Sequence, residues 1–359
     1  MKIAIVGPTY PYKGGGAHHT TELARRLRAE GHEVVIESWR AQYPGFLYPG
    51  QQTIDAPEGE PYPDTRRELD WRRPDGWIGC GRRLRGFDLV VLAVLSPVQV
   101  PAYLGILYGL RRRARVVALC HNVLPHERKP YDRPLMKALL GRVDEVLVHS
   151  EEQAGMARGL TSAPVRVAGL APHLPSRDVR ASGGPEPYGR LLFFGIVRPY
   201  KGLDLLLRAL AQTPGVGLTV AGEFWGGLEG TKALIAELGL ADRVDLRPGY
   251  VAAQDVPGLF AETDALVLPY RSATASQNVW LGHEHGVPVI ATRVGALADN
   301  VDDGVDGLLV EPGSAGALAE ALKRFYEPGM PARLRSGVKT VDPDPFWAVY
   351  LGTLLAAIV

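Results

Sequence analysis

Residues 193–210, FFGIVRPYKGLDLLLRAL, combine a strand, a turn and a helix in one stretch. The apolar strand ends at Gly195, two cations follow at Arg198 and Lys201, and apolar positions then recur at helical spacing. Such a junction points backbone N–H groups and the positive end of a helix dipole at solvent, where phosphate binds readily. We predict a diphosphate site here, with both cations as charge-assisted donors. A surface turn carrying two solvated cations is the alternative.

Length and composition indicate a compact chain of about two domains, because the 359 residues exceed the size at which single cores stop growing. The chain is 46% hydrophobic and 22% charged, which argues against disorder. Two cysteines, Cys80 and Cys120, are too few for a disulfide framework or a four-cysteine zinc site. We therefore expect a reducing, cytoplasmic location.

The formal net charge of +1 hides an asymmetry between the two halves. Residues 1–175 hold 24 Lys and Arg against 18 Asp and Glu, a net +6, and the remainder holds 16 against 21, a net −5. Solvated helix faces are the ordinary explanation, but a basic half also suits an anionic substrate or peripheral contact with the inner membrane face. No aromatic-rich basic groove accompanies the charge, which argues against nucleic acid as a partner.

The longest uncharged run, residues 89–110, has the length of a membrane span. Pro97, Gln99 and Pro101 in its middle instead predict a strand at 89–95, a loop, and a helix at about 102–113. The apolar start of the chain before Gly7 is too short and too strand-like for a secretory signal.

Short apolar runs alternate with helical patterns in both halves, which predicts an α/β fold with parallel sheets covered by helices on both faces. Residues 43–85, rich in Pro, Trp and Arg, lack periodicity and predict an insertion or long loop. The predicted strands are 2–6, 33–38, 89–95, 116–119 and 145–149, then 191–194, 217–221, 244–246, 265–268 and 289–291.

Composition also predicts the domain boundaries. Pro- and Gly-rich residues 173–189 have no periodicity and predict a hinge linker between a first domain, 1–172, and a second doubly wound domain, 190–342. Residues 343–359 are apolar on most faces, and we expect them to form a helix that packs back on the first domain. In open α/β sheets, ligands bind at the carboxyl ends of the strands.

Several segments together resemble the GT-B retaining glycosyltransferases, family four (glycosyl transferases group 1). The resemblance covers nearly the whole chain: GG at 14–15 ahead of His19 and LARRL at 23–27, GHEV at 31–34, CHNVLPHE at 120–127, the turn from Arg198 to Gly202, VAGE at 220–223, GVPVIAT at 286–292 and GLLV at 307–310.

This resemblance implies two Rossmann-like domains that face each other across a cleft. It implies a nucleotide-sugar donor held mainly by the second domain, an unidentified acceptor held mainly by the first, and transfer with retention at the anomeric carbon. It also implies that neither a metal nor a cofactor is needed, since protein cations neutralise the leaving diphosphate. No well-spaced Asp/His metal cluster was recognised in the sequence.

The catalytic residues implied by the resemblance are His121, Arg198 and Lys201. His121 follows an apolar strand and would contact the transferred sugar beside its anomeric centre; a histidine of the core is the alternative. In a front-face retaining mechanism the departing phosphate oxygen takes the proton of the acceptor, so no dedicated base is required.

In the first domain, the glycine loop at 14–16 fits neither a G-x-G-x-x-G fingerprint nor a Walker loop. The resemblance implies that Gly15 and Gly16 let the backbone approach the donor phosphate. It places His19 near the acceptor, and His126 and Glu127 as acceptor or sugar contacts, with a structural loop role as the alternative for the last two.

In the second domain, the resemblance points to donor contacts at Gly195, Glu223, Tyr250, Thr274, Ser276, Gln277 and Glu284. Tyr250 has a core role as its alternative. The family usually has two carboxylates in this segment, and the corresponding positions here are Ala273 and Leu281. Glu284 lies one helical turn from Leu281 and is not equivalent to it. Thr274, Ser276 and Gln277 could still cap the following helix and donate to a diphosphate.

Other functions remain open from the sequence. A sugar-nucleotide epimerase or a phosphorylase shares the architecture. The missing carboxylates also allow a degenerate member that binds a nucleotide or a partner protein without turnover.

Overall fold

The computed structural model describes residues 1–45, 50–57, 59–173, 187–273 and 276–357. The chain divides into two compact units, of which the first comprises Met1–His173 with Pro343–Val359 and the second comprises Leu174–Asp342. Most of the predicted linker, residues 174–186, lies outside the described residues.

The first unit is built on a parallel sheet that has seven strands within the described residues, in the order β3-β2-β1-β4-β5-β6-β7. The strands are β1 (Lys2–Val6), β2 (Glu33–Ala41), β3 (Thr65–Asp70), β4 (Leu89–Val94), β5 (Arg115–Cys120), β6 (Glu145–Val148) and β7 (Val165–Val167). The helices are α1 (Gly15–Ala29), α2 (Pro74–Arg83), α3 (Val100–Leu110), α4 (Asp132–Leu140) and α5 (Glu151–Arg158). Every residue of the central strand β4 is buried, as expected for a parallel sheet covered on both faces.

The prediction of an insertion or long loop at residues 43–85 is wrong for much of that range. It contains β3, which pairs in parallel with β2 at the edge of the sheet, and α2, which packs closely on α3. Gly81 and Gly109 allow this approach, because a Cβ at either position would overlap a backbone carbonyl oxygen of the other helix. The exposed side of β3 carries charged residues, so its sequence has no apolar run.

The second unit has the same type of architecture. Its described part contains a parallel sheet of six strands, in the order β10-β9-β8-β11-β12-β13. The strands are β8 (Arg190–Phe194), β9 (Gly217–Gly222), β10 (Val244–Pro248), β11 (Ala265–Leu268), β12 (Val289–Thr292) and β13 (Gly307–Val310). The helices are α6 (Leu203–Ala211), α7 (Leu228–Glu237), α8 (Val256–Ala261), α9 (Asn278–Glu284), α10 (Ala315–Phe325) and α11 (Met330–Gly337).

The last helix, α12 (Asp344–Leu355), belongs to the first unit. Trp347 and Tyr350 are at most 1% exposed, and the indole Nε1 of Trp347 donates to the carbonyl oxygen of Pro172 at 2.9 Å. Arg115 Nε donates to the carbonyl oxygen of Ala357 at 2.7 Å. The C-terminal helix therefore returns to the first unit, as its apolar faces predicted.

The long uncharged run at 89–110 forms β4 and α3, in agreement with its prolines. Across the described ranges, we find no helix with both the length and the apolar character needed to cross a membrane. Cys80 and Cys120 are buried free thiols, and burial raises the pKa of Cys120 to about 12.

Candidate active site

In the second unit, four neighbouring strands bring the predicted donor contacts to one edge of the sheet. Because β10, β9, β8 and β11 are parallel, the residues that follow them share the carboxyl edge. The predicted residues in these loops are Tyr250 after β10, Glu223 after β9, Gly195, Arg198 and Lys201 after β8, and Ser276 and Gln277 after β11.

The ammonium of Lys201 lies close to Gly195, the residue that directly follows β8. A Cβ built on Gly195, whose φ is +98°, would stand 3.7 Å from Lys201 Nζ and 3.6 Å from Asn278 Nδ2. Asn278 Nδ2 donates to the carbonyl oxygen of Phe194 at 3.0 Å, and Lys201 Nζ lies 5.3 Å from the ring centroid of Tyr270. The bare glycine thus leaves room for an ammonium and an amide to converge on one point.

Burial lowers the pKa of Lys201, and the positive charge of Arg198 lowers it further against an opposing effect of Tyr200. Among the ion pairs of the described residues, none includes Lys201. A cation held away from water without a carboxylate partner is costly unless an anion joins it. This electrostatic state favours an anionic ligand.

Arg198 is half-buried and lies against aromatic rings. Its guanidinium carbon is 5.2 Å from the ring centroid of Trp225 and 5.8 Å from that of Tyr200. Two backbone bonds tie its loop to the loop after β9: Val197 N donates to Glu223 O at 2.7 Å, and Trp225 N donates to Val197 O at 3.1 Å. These contacts hold the arginine against the edge of the sheet.

The turn that carries both cations is held by a residue that the sequence did not single out, Arg271. Its backbone N–H donates to Tyr200 O at 2.7 Å, and its Nη1 donates to Pro199 O at 2.8 Å. The guanidinium also binds both carboxylate oxygens of Asp204, at 2.8 and 2.6 Å. Gly202, with φ +70°, completes the turn, because a Cβ there would overlap the carbonyl oxygen of Pro269.

The N-terminus of α6, predicted as part of the diphosphate site, carries an acidic residue in its first turn, Asp204. Burial acts to raise the pKa of Asp204, but the hydrogen bond and the positive charge of Arg271 lower this pKa below its ordinary value. The carboxylate of Asp204 therefore lies beside this helix end, paired with Arg271. Binding of a diphosphate by the N–H groups of α6 stays a prediction.

The structure explains why the segment after β11 has Ala273 and Leu281 at the two positions where the family usually has carboxylates. Ala273 is 5% exposed within an apolar cluster, and Leu281 packs against the same cluster. Ser276 Oγ accepts a hydrogen bond from Asn278 N at 3.3 Å. The serine hydroxyl therefore binds the backbone N–H of the first residue of α9. Glu284 ends α9 at 9% exposure, and Thr274 lies outside the described residues. Both positions that usually carry carboxylates are used for packing.

In the first unit, His121 belongs to a cluster of four histidines. His121 follows β5, His149 follows β6, His19 lies on α1, and His173 is the last residue of the first segment of this unit. The His19 ring centroid is 5.0 Å from that of His121, 5.7 Å from His149 and 4.9 Å from His173, and the His121 and His149 centroids are 5.0 Å apart. Four imidazoles thus share one interior site.

Hydrogen bonds connect these rings to the backbone and to α12. His149 Nδ1 lies 3.2 Å from the carbonyl oxygen of Ala168, and His149 Nε2 lies 3.4 Å from His121 Nδ1. His19 Nδ1 lies 2.7 Å from His173 Nε2, and His19 Nε2 lies 2.9 Å from the hydroxyl of Tyr350.

Burial makes all four rings weak bases. It lowers the pKa of His149 to about 4 and of His173 to about 3, and it lowers the pKa values of His19 and His121 well below the ordinary range. The rings are therefore neutral near pH 7. Neutral imidazoles also bind metals, and the ligand atoms of His19, His121 and His149 lie within 4.8 Å of one another. A metal bound there would have to replace the contact between His149 and His121.

The remaining predicted residues of the first unit differ in exposure. Gly15 is exposed and has open space where a Cβ would stand, whereas a Cβ on Gly16 would lie 2.6 Å from the side chain of Leu95. His126 and Glu127 are exposed in the loop after β5. His19 is only 1% exposed, so its position supports a role within the cluster, and its contact with an acceptor stays a prediction.

Sequence reasoning missed several residues of these sites, above all His149, Arg271 and Asn278. His149 directly follows an apolar strand, as His121 does, and that shared position was an available signal. Asn278 lies in the segment whose family pattern is altered, and Arg271 lies just before that segment. Nothing local in the sequence indicates the partners of either residue.

Two family models match the chain. One, described as Glycosyltransferase Family 4, matches residues 13–201, and one, described as Glycosyl transferases group 1, matches residues 189–328. A D-inositol 3-phosphate glycosyltransferase of Mycobacterium tuberculosis (strain ATCC 25618 / H37Rv) is 31% identical over 198 residues. That match covers 51% of this chain and 41% of the relative, so it spans about two-fifths of the relative's length.

Solved structures share the fold over almost the full chain. Sucrose-phosphate synthase from Thermosynechococcus elongatus has a TM-score of 0.70 at 20% identity, with 99% of this chain and 96% of that one covered. HepE from Anabaena, solved in complex with UDP and glucose, has a TM-score of 0.71 at 18% identity, with 99% and 100% covered. The fold inferred from the sequence motifs, GT-B with two Rossmann-like domains, is confirmed. Because the first family model covers more than half of its residues, the chain belongs to Glycosyltransferase Family 4.

Proposed function

We propose that this protein is a retaining glycosyltransferase that moves a sugar from a nucleotide diphosphate donor to an acceptor hydroxyl without a metal. The observation that carries the proposal is the half-buried pair Arg198 and Lys201 at the carboxyl end of β8. Lys201 has a lowered pKa and belongs to no ion pair among the described residues. A diphosphate leaving group supplies a negative charge for Lys201, beside the guanidinium of Arg198.

The reaction breaks the bond between the anomeric carbon and the phosphate oxygen, and the acceptor oxygen bonds to that carbon on the same face of the sugar. The acceptor proton passes to the departing phosphate oxygen, which yields a nucleoside diphosphate. Arg198 and Lys201 offset the charge that grows on the diphosphate as the bond breaks. Arg271, through its bonds to the turn, keeps both cations in place before the donor arrives.

The comparisons supply starting points for donor and acceptor. UDP and glucose are bound in HepE, so UDP comes first among the nucleotides to test. The relative whose name includes D-inositol 3-phosphate supports a phosphorylated cyclitol as one acceptor to try, beside glycans, lipid carriers and small natural products. We also propose that the exposed Arg111, Arg112 and Arg113 at the end of α3 contact anionic lipid at the inner membrane face.

A protein that binds a nucleotide without turnover is the second candidate. It is favoured by the apolar packing of Ala273 and Leu281, which leaves the ribose without the carboxylates that the family usually has. Glu223, Tyr250, Gln277 and Glu284 are the polar side chains proposed to contact the nucleotide instead.

A thermal-shift panel of UDP, GDP, ADP, dTDP and CDP, each with and without magnesium, tests the proposal first. Ligand at a hundredfold excess over Kd should stabilise the protein by about 2.7 kcal/mol. One nucleotide that stands out equally with and without magnesium supports a metal-independent donor site, and the matching sugar nucleotides are then assayed for nucleoside diphosphate release. A flat panel contradicts the proposal, and tight binding without release or transfer favours the second candidate.

A further inference from the structure

His149 is placed to control the hydrogen-bonding character of His121. A carbonyl oxygen can only accept, so the contact of His149 Nδ1 with the oxygen of Ala168 at 3.2 Å requires the proton of His149 on Nδ1. A neutral imidazole with its proton on Nδ1 has a bare Nε2. That nitrogen can therefore only accept from its neighbour.

The same rule applies to the next ring. Because His149 Nε2 accepts, the contact at 3.4 Å requires the proton of His121 to be on Nδ1. The other nitrogen, His121 Nε2, is then a bare acceptor. It is buried and has no hydrogen-bond partner among the described residues. A buried acceptor without a partner costs free energy, which a ligand that donates a hydrogen bond removes.

We infer that His149 is a positioning residue that, through the carbonyl of Ala168, holds His121 in the Nδ1–H form and so presents Nε2 as an acceptor for a neutral donor group of the substrate. This inference rests on the proposed function for the identity of the substrate, whose sugar hydroxyls are such donors. A phosphate or carboxylate oxygen would face a lone pair and be repelled. The cluster therefore selects a hydroxyl and excludes an anionic group at this point.

The packing around His149 suggests a variant that separates the hydrogen bond from the shape of the site. The His149 ring stacks on that of Tyr350, with centroids 5.9 Å apart and planes at 29°. His149→Phe keeps an aromatic ring there and removes the acceptor. His285 is a matched control in the second unit, because it is also buried and stacks on Phe260 at 4.5 Å.

The test is nitrogen NMR of the ligand-free protein with ¹⁵N-labelled histidine. The chain has nine histidines, so the His121 signals are identified by their loss in His121→Gln. We expect a protonated, pyrrole-type Nδ1 and a bare, pyridine-type Nε2 for His121. In His149→Phe the Nε2–H form should appear, whereas His285→Phe should leave the His121 signals unchanged. Once a donor is known, His149→Phe should also lower kcat about tenfold, as loss of one oriented hydrogen bond does, with UDP binding unchanged.

Three results would overturn the inference: an Nε2–H form of His121 in the unaltered protein, an unchanged His121 pattern in His149→Phe, or a stoichiometric metal ion in the purified protein. The metal result counts because a metal on His149 Nε2 and His121 Nδ1 would move the His121 proton to Nε2. The measurement on the unaltered protein keeps the inference falsifiable even if the variant fails to fold. It needs no turnover, so its failure is distinct from a failure of the proposed function.

Discussion

Replacing Lys201 by methionine should have opposite effects on the free and the nucleotide-bound protein. In the free protein the substitution removes a cation whose pKa is lowered by burial, and it keeps a side chain of similar length beside Tyr270. We therefore expect the unfolding midpoint of the free variant to equal or exceed that of the parent protein. The nucleotide-bound variant should instead lose stabilisation, because the diphosphate loses a charged donor.

The size of the loss follows from the energy of one hydrogen bond to a charged group, about 1.5–3 kcal/mol, which raises Kd roughly 10- to 150-fold. At a UDP concentration of a hundred times the parent Kd, ligand stabilisation is about 2.7 kcal/mol for the parent and about 0.3–1.4 kcal/mol for a variant with a 10- to 150-fold higher Kd. For a domain of this size, about 2–4 °C per kcal/mol converts these values to midpoint shifts of roughly 5–11 °C and 1–6 °C.

The assay is differential scanning fluorimetry of both proteins over a range of UDP concentrations, followed by donor turnover, where we expect a loss of about 10²–10³ in rate. Lys232→Met is the control, since Lys232 is exposed on α7 and pairs with Glu229 at 2.8 Å. An equal UDP shift in Lys201→Met and Lys232→Met would refute the assignment of the diphosphate to Lys201. A large fall in the stability of the free variant would refute the account of a costly buried charge.

Three further predictions concern other parts of the chain. Gly202→Ala, at φ +70° against a carbonyl oxygen, should lower the free energy of unfolding by about 2–4 kcal/mol in urea, whereas Gly215→Ala, at φ +79° with open space, should lose only about 1–2 kcal/mol; equal losses would contradict the steric account. The folded pKa of His149 is about 4 against 6.5 unfolded, so the unfolded chain binds the proton first as pH falls. As pH falls from 6.5 to 4, His149 alone should therefore lower the free energy of unfolding by about 3 kcal/mol. His149→Phe should make the free energy of unfolding, measured by calorimetry, depend less steeply on pH in this range. An unchanged pH dependence would contradict the assignment of this effect to His149. Reversing the charge of the three arginines at 111–113 should weaken sedimentation with anionic vesicles, with neutral vesicles as the control, and unchanged sedimentation would remove the membrane proposal.

Local patterns in the sequence were enough for most of the architecture. Apolar runs predicted β1, β4 and β8 to within a residue or so, because buried parallel strands need uninterrupted apolar side chains. The segment 65–70 was missed, since an edge strand with charged side chains has no such run. The three-residue strand β7 was missed because so short an element leaves almost no pattern.

The candidate sites also contain some residues that local sequence features indicate and others that only the tertiary structure reveals. Arg198, Lys201 and Gly202 were singled out because their spacing and their place after a strand are local features. The ion pair between Asp204 and Arg271 was not predicted, because the two residues are 67 positions apart in the sequence. The partner of Asp204 depends on which loops meet at the edge of the sheet.

The histidine cluster is the clearest case of contacts that the sequence alone could not predict. The sequence placed His121 and His19 at positions of interest, since both follow strands or lie in a family motif. It could not reveal that His19 contacts His173 and Tyr350, 154 and 331 residues away, or that Ala168 and His149 orient His121. A residue's type and its near neighbours define which hydrogen bonds it is able to make. Its actual partners, and with them its protonation, depend on distant segments that meet only when the sheet and α12 pack together.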